Sequence, residues 1–135
     1  MKLKAVLTVS AIYLAVLGAG FMLFPRQVGI DAVPADASSE LIAYLRVFGG
    51  PFLGIAVLNW LARNAEPSTA RNAILLANVV GFGCAASMDV WGVFGGGARS
   101  VAKVFLVIHV LMTIAFVVAW RGSIRPDAAG PRSAR

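Results

Sequence analysis

The sequence predicts an all-α integral membrane protein, a four-helix bundle with both termini in the cytoplasm (N-in/C-in). Of its 135 residues 59% are hydrophobic and only 13% are charged, against roughly 45–50% and about 25% in soluble domains. One soluble core could not bury that much apolar surface, which excludes a soluble enzyme, and a disordered chain would need low hydrophobicity. The apolar residues form four long runs, at about residues 5–24, 41–62, 73–94 and 100–120.

Each run is long enough to cross a bilayer as a helix. About 20 residues at a rise of 1.5 Å span a hydrocarbon core of ~30 Å, and a helix satisfies its own backbone hydrogen bonds where water is absent. Residues 5–24 carry no charge. We expect this run to be retained as the first span, because it is longer than the apolar region of a usual signal peptide.

The connections carry helix-start signals. Residues 25–40 form the longest loop, and Asp36, Ser38 or Ser39 could cap the helix that follows. Ser68, after a proline, marks the start of the next helix. Two of the four predicted spans are therefore preceded by a residue that can start a helix.

Lysine and arginine are distributed unequally between the two sides of the predicted bundle. With the N-terminus inside, eight of the twelve lie on the cytoplasmic side and three on the other. Because cytoplasmic loops carry the excess of Lys and Arg, we predict a multi-pass protein of the bacterial inner membrane with both termini cytoplasmic. Residues 1–121 then form the transmembrane domain, and residues 122–135 form a disordered cytoplasmic tail.

Small residues at helical spacing predict where the helices approach one another closely. The stripes are Ala11, Ala15 and Ala19 in the first helix, Gly50 and Gly54 in the second, and Ala77, Gly81 and Ala85 in the third. Three such stripes favour a compact bundle over isolated spans. Pro51, which lacks an N–H, predicts a kink in the second helix.

Three charged residues lie inside the predicted spans, Arg46, Asp89 and Lys103, all in the outer third. A charge at the centre of a membrane helix costs ~2.5–3.5 kcal/mol, which an Arg46–Asp89 ion pair would offset. We interpret the pair either as a clamp between helices or as an anion or head-group site with Lys103. Asn78 lies about 20° from Asp89 around the same helix, so their shared face should point into the bundle and Asn78 joins the candidate ligand-binding residues.

His109, the only histidine, lies near mid-span in the fourth helix. It could ligate haem or a chlorophyll-type pigment, relay protons, or bond to a neighbouring helix. We predict no metal site, because one histidine and one cysteine are too few ligands, and we assign no catalytic residue and no cofactor. We interpret Tyr13 as an amphipathic filler and Asn59 as an interfacial residue.

The net charge and the cysteine content exclude two further classes. The net charge is +6, yet no basic stretch is dense or interleaved with aromatic residues, which argues against nucleic acid as a partner. The single cysteine, Cys84, excludes an oxidoreductase that works through an internal cysteine pair.

Two stretches carry a resemblance to a known group of proteins. They read R-V-F-G-G-P-F-L-G-I-A-V-L-N-W-L-A-R over Arg46–Arg63 and A-R-N-A-I-L-L-A over Ala70–Ala77. The Arg-x-x-Gly-Gly element and the arginine-bounded turn resemble small bacterial four-span membrane proteins of unknown function, loosely DoxX-like. The resemblance covers under half of the chain. It implies fold and membrane location and no established activity.

The leading functional hypothesis is a non-catalytic membrane protein, either an accessory subunit of a membrane complex or a binder of a lipid or other apolar ligand. A ligand is expected in an outer-leaflet cavity near Arg46, Asp89 and Lys103. The alternatives are a small transporter or channel acting as an oligomer, and a redox protein with His109 as haem or pigment ligand. The expected partners are membrane lipid, other membrane subunits or further copies of this chain.

Overall fold

Four long helices and one short helix make up the computed structural model, which describes residues 3–30 and 32–124. They are α1 (Leu3–Leu23), α2 (Pro25–Val28), α3 (Ser39–Ala62), α4 (Thr69–Phe94) and α5 (Ala102–Ile124). The four long helices contain 21, 24, 26 and 23 residues and are apolar enough to cross a membrane. The chain is therefore a multi-pass membrane protein, as the hydropathy pattern predicts.

The helix boundaries differ most from the predicted spans at two places, and by one or two residues at others. Helix α4 begins at Thr69, four residues before the predicted start, because the capping residue Ser68 precedes the apolar run. Helix α5 continues to Ile124, three residues into the stretch predicted as a tail, and residues 125–135 lie outside the described residues.

Side-chain caps start two of the long helices. The Ser38 hydroxyl accepts a hydrogen bond from the backbone N–H of Leu41 at 3.2 Å, and the Ser68 hydroxyl accepts one from Arg71 at 3.2 Å. Each cap satisfies one of the backbone donors left open at a helix start. Ser38 is one of the three predicted caps before α3, and Ser68 is the predicted start of α4.

The long loop after α1 is folded back on itself. Pro25 opens the short helix α2, where its missing N–H costs nothing. The Arg26 guanidinium donates to the carbonyl oxygens of Pro34 at 3.2 Å, Ala35 at 2.9 Å and Ala37 at 3.3 Å. These hydrogen bonds from Arg26 hold the loop close to the end of α1.

Helices α1 and α3 pack closely as one pair. Their closest approach is at Gly18 and Gly49: a Cβ on Gly49 would stand 2.5 Å from the Gly18 carbonyl oxygen. The prediction of close packing at Gly50 and Gly54 is wrong, since a Cβ at either position would meet no atom of a described neighbouring helix within 4 Å. The rotation of α3 about its own axis therefore turns Gly49 toward α1 and leaves Gly50 and Gly54 facing away from it.

Helices α4 and α5 form the second pair, and the two pairs contact each other much less extensively. The core lies where the start of α1, the end of α3, the start of α4 and the end of α5 meet. Leu7, Leu75 and Phe116 are fully buried there. Toward the other end of the bundle, the pairs separate and leave a cavity between them.

Large apolar side chains cover the outside of the bundle. Val16, Val47, Leu61, Val107 and Ile114 are all more than half exposed. Such a surface is unfavourable in water and suits the hydrocarbon of a bilayer, where apolar side chains are solvated by lipid.

Candidate functional site

A cavity of about 560 Å³ lies between the two helix pairs. Apolar side chains form most of its wall, among them Leu17 and Phe21 from α1 and Phe52 and Ile55 from α3. Along α4 the wall runs from Ala73 to Asp89, about 24 Å of helix at 1.5 Å per residue. The cavity therefore follows most of the thickness of the apolar layer.

The α4 side of the cavity is the small, polar face predicted from the sequence. Asn78, Gly81, Ala85 and Asp89 all line the cavity, which confirms that they share a face directed into the bundle. Because a Cβ at Gly81 would meet no described atom within 4 Å, this stripe does not serve a tight helix contact. Its small side chains instead leave the space that the cavity occupies.

A hydrogen-bonded chain of three side chains forms part of the cavity wall. Tyr13 Oη lies 2.8 Å from His109 Nε2, and His109 Nδ1 lies 2.6 Å from Asp89 Oδ2. The three residues come from α1, α5 and α4, and each lines the cavity. The chain links the two helix pairs and is one of the few polar features of a largely apolar wall.

The protons of this triad follow from the chemistry of its members. An ionised carboxylate only accepts hydrogen bonds, so His109 Nδ1–H donates to Asp89. A neutral imidazole then has a lone pair on Nε2, which accepts the Tyr13 O–H. The 2.6 Å separation is in the range of charge-assisted bonds. His109 and Asp89 remain 15% and 20% exposed, enough for a bound molecule to touch them.

Aromatic rings surround the imidazole. Ring centroids of Phe82 and Phe105 lie 6.0 Å and 6.2 Å from that of His109, and the Tyr13 ring lies edge-on at 5.9 Å. This apolar surround restricts water and lowers the local dielectric, which strengthens the hydrogen bonds inside it.

A second polar cluster lies deeper, at the closed end of the cavity. Asn59 Nδ2 donates to Ser10 Oγ at 3.0 Å and to Asn78 Oδ1 at 2.9 Å. Asn78 Nδ2 donates to Asn59 Oδ1 at 2.7 Å and to the Ile74 carbonyl oxygen at 2.8 Å. Ser10, Asn59 and Asn78 are buried, so this amide cluster joins α1, α3 and α4 through satisfied bonds.

Arg99 lies at the end of the cavity away from the amide cluster, in the connection between α4 and α5. One terminal nitrogen of its guanidinium donates to the carbonyl oxygens of Val28 at 2.8 Å and Ile30 at 2.6 Å. The guanidinium carbon lies 5.7 Å from the centroid of the Phe105 ring. Arg99 therefore holds the loop after α1 across this end of the cavity.

The structure separates the charged residues that the sequence grouped together. Asp89 hydrogen-bonds to His109, and within residues 3–30 and 32–124 no Lys or Arg lies within ion-pair distance of a carboxylate. The expected Arg46–Asp89 pair is not formed: Arg46 is exposed on α3. It lies nine residues before Ile55, about 180° around the helix from the cavity wall.

Lys103 is also exposed, on α5, and does not belong to the cavity lining. It precedes the lining residue Phe105 by two positions, about 200° around the helix. Of the predicted ligand-binding residues, the cavity thus brings together Asp89 and Asn78 with His109, and it excludes Arg46 and Lys103.

Three residues of the site were not predicted from the sequence. The interpretations of Tyr13 as a filler and Asn59 as interfacial are wrong, because one is bonded to His109 and the other is fully buried. Arg99 lies between the third and fourth predicted spans, where no functional residue is predicted. The available signal was weak: Ser10 and Tyr13 are polar neighbours three residues apart on one face of the uncharged run 5–24.

The described residues contain no group of three or more His, Cys, Asp or Glu side chains arranged to hold a metal ion. No protein-family model matches the chain, and neither a curated protein nor a solved structure matches it. The function is therefore argued from the cavity and its polar groups.

Proposed function

We propose that this protein binds a lipid-like ligand inside the membrane, with the apolar body of the ligand in the cavity and its polar head at Tyr13, His109 and Asp89. The observation that supports this most directly is a largely apolar cavity of about 560 Å³ with a partly buried polar triad in its wall. Ligand sites typically have volumes of ~300–1,000 Å³, apolar walls and a few convergent polar groups.

The ligand enters sideways, between α3 and α4. Ile55, Leu58, Ala77 and Gly81 line the cavity and are themselves exposed. These residues form the edges of a lateral opening that faces lipid. A molecule already dissolved in the bilayer can therefore reach the triad without crossing water.

Binding fits the geometry better than conduction or redox chemistry. A channel would need a polar path through the closed end of the cavity. The apolar side chains Leu7, Leu75 and Phe116 are fully buried there. Both ring nitrogens of His109 are engaged, with Tyr13 and Asp89. A haem or pigment ligand at His109 would first have to displace one of them.

The proposed setting is the bacterial inner membrane, with both termini cytoplasmic. The excess of Lys and Arg on the side of the N-terminus supports this orientation, which puts Arg99 and the outer end of the cavity toward the periplasm. Membership of the DoxX-like group remains a hypothesis that rests on the Arg46–Arg63 and Ala70–Ala77 stretches. Lipid is the partner in this proposal. Association with other membrane subunits or with further copies of the chain is compatible with it.

Native mass spectrometry of the protein extracted in mild detergent tests binding. We expect a co-purifying lipid-like mass on the wild type and its loss in Gly81→Leu, whose side chain would occupy the cavity. Gly54→Leu is the matched control: it also has open space for a Cβ, but it lies outside the cavity lining. Equal ligand occupancy in both variants would contradict the proposed site.

A further inference from the structure

The hydrogen-bonding capacity of the cavity wall indicates which head group it accepts. At the closed end, each of the two amide N–H₂ groups of Asn59 and Asn78 makes two bonds within the cluster or to a backbone carbonyl. An amide nitrogen has two donors, so both groups are saturated. The amide cluster therefore holds helices together and has no N–H left to donate to a ligand.

The triad likewise uses its hydrogen-bond donors in bonds between its own members. With a neutral imidazole, His109 Nδ1–H donates to Asp89 and the Tyr13 O–H donates to His109 Nε2. What remains toward the cavity is acceptor capacity. A carboxylate has about four lone-pair sites, of which His109 uses one, and the Tyr13 oxygen keeps its lone pairs.

The charge of the triad also favours a ligand that donates hydrogen bonds, and in particular a cation. With a neutral imidazole the triad carries one negative charge, that of Asp89, and lies in an apolar surround. A charge removed from water is strongly favoured by an opposite charge nearby. The rings of Tyr13, Phe82 and Phe105 around His109 add faces and edges of the kind to which organic cations bind.

Arg99 is the cation on the cavity lining, and its position limits its role. One of its terminal nitrogens is already bonded to the carbonyl oxygens of Val28 and Ile30, and its guanidinium carbon lies 5.7 Å from the centroid of the Phe105 ring. Arg99 therefore closes the outer end, and the exposed polar groups at mid-cavity are acceptors.

We infer that the ligand is an apolar amine: a hydrocarbon body carrying a protonated amino group, whose N–H bonds are accepted by the Asp89 carboxylate and the Tyr13 oxygen. This inference rests on the proposed function, since it specifies the head group for the same cavity. The small α4 face accommodates the hydrocarbon body, and the triad supplies both the countercharge and the acceptors.

Photo-labelling in nanodiscs of phosphatidylcholine tests the inference. Three probes share one C16 chain with a mid-chain diazirine and end in a primary amine, an alcohol or a carboxylic acid. Peptides labelled at α4 are quantified against probe concentration by mass spectrometry. We expect the amine to half-saturate labelling of the Ala77–Ala85 segment at about a tenfold lower concentration than the acid, with the alcohol between them.

Variants separate the charge from the cavity. Asp89→Asn keeps the size of the side chain and removes its charge, so the advantage of the amine over the alcohol should disappear while the alcohol still labels. Asp36→Asn, in the exposed loop, is the matched control and should leave all three probes unchanged. Retained labelling by the alcohol probe shows that Asp89→Asn is folded. The comparison of the three probes on the wild type does not depend on whether this variant folds.

The possible results distinguish the inference from the proposed function. Labelling of the cavity with the acid favoured, or with no preference among the probes, overturns the amine inference and leaves the lipid-binding proposal standing. If no probe labels Ala77–Ala85 in the wild type, or if Gly81→Leu labels as strongly as the wild type with every probe, both fail.

Discussion

Tyr13 on α1 and His109 on α5 are joined by a hydrogen bond of 2.8 Å between Oη and Nε2. This bond connects two helix pairs that otherwise contact each other sparingly. Asp89 orients the imidazole from the other side, so the ring faces Tyr13 with an unprotonated nitrogen. The bond therefore contributes to holding the pairs at the separation that forms the cavity.

Removing the Tyr13 hydroxyl tests this role. In Tyr13→Phe the His109 Nε2 loses its donor while the ring is kept, and we expect a loss of about 0.5–1.5 kcal/mol in unfolding free energy. Unfolding of the purified protein in mixed micelles by an ionic detergent measures it. Tyr44→Phe, at an exposed position on α3, is the control and should be neutral. Equal effects of the two changes would show that the bond contributes nothing.

The pairing of Asp89 can be tested by double-mutant cycles. We expect Asp89→Ala and His109→Ala to be coupled by about 0.5–3 kcal/mol, because the two side chains are in contact. Asp89→Ala and Arg46→Ala should be additive within about 0.5 kcal/mol, because Arg46 lies on the face of α3 that is turned away from the cavity and from Asp89. The same unfolding assay gives both cycles. Coupling of Asp89 to Arg46 instead would mean that the helices are rotated differently.

The adjacent glycines of α3 should respond oppositely to the same substitution. Gly49→Ala puts a Cβ against the Gly18 carbonyl oxygen and the Met22 side chain, each 2.5 Å away, so we expect overpacking of roughly 1–3 kcal/mol. Gly50→Ala meets no described atom within 4 Å and should be neutral or slightly stabilising. Thermal unfolding in detergent ranks the two. The reverse order would refute the close approach of α1 and α3.

The amide cluster should couple α3 to α4. Asn59→Ala removes both hydrogen bonds that Asn78 makes with Asn59. Each single change should lower the unfolding free energy by about 1–3 kcal/mol, because a buried polar group is left unpaired. The double change Asn59→Ala and Asn78→Ala should cost less than the sum. Asn64→Ala, at an exposed position, serves as the control. A strictly additive double variant would contradict the reciprocal bonds.

The orientation can be determined with introduced cysteines in a Cys84→Ala background. With both termini cytoplasmic, Ala35→Cys in the loop before α3 should react in intact cells with a maleimide that does not cross membranes. Ala65→Cys, between α3 and α4, should react only after lysis. Both alanines are exposed, so accessibility on their own side is assured. Inverted labelling would assign the opposite orientation.

Several features of the fold follow from local sequence. Hydropathy alone locates the four membrane helices, because a lipid environment requires long, apolar, internally hydrogen-bonded segments. Ser38 and Ser68 mark two helix starts through their own hydroxyl groups. The helical period places Asn78, Gly81, Ala85 and Asp89 on one face of α4, and the structure directs that face into the cavity.

The sequence by itself thus determined the number of spans, two of their starts and the inward face of α4, all of which depend on neighbours within one helix. Only the tertiary structure decided that α1 pairs with α3 through Gly18 and Gly49, and that Asp89 meets His109 instead of Arg46. Helices in lipid gain little from burying apolar surface against each other. Their partners and rotations are therefore set by shape and hydrogen bonds between distant residues, which periodicity within one helix does not contain.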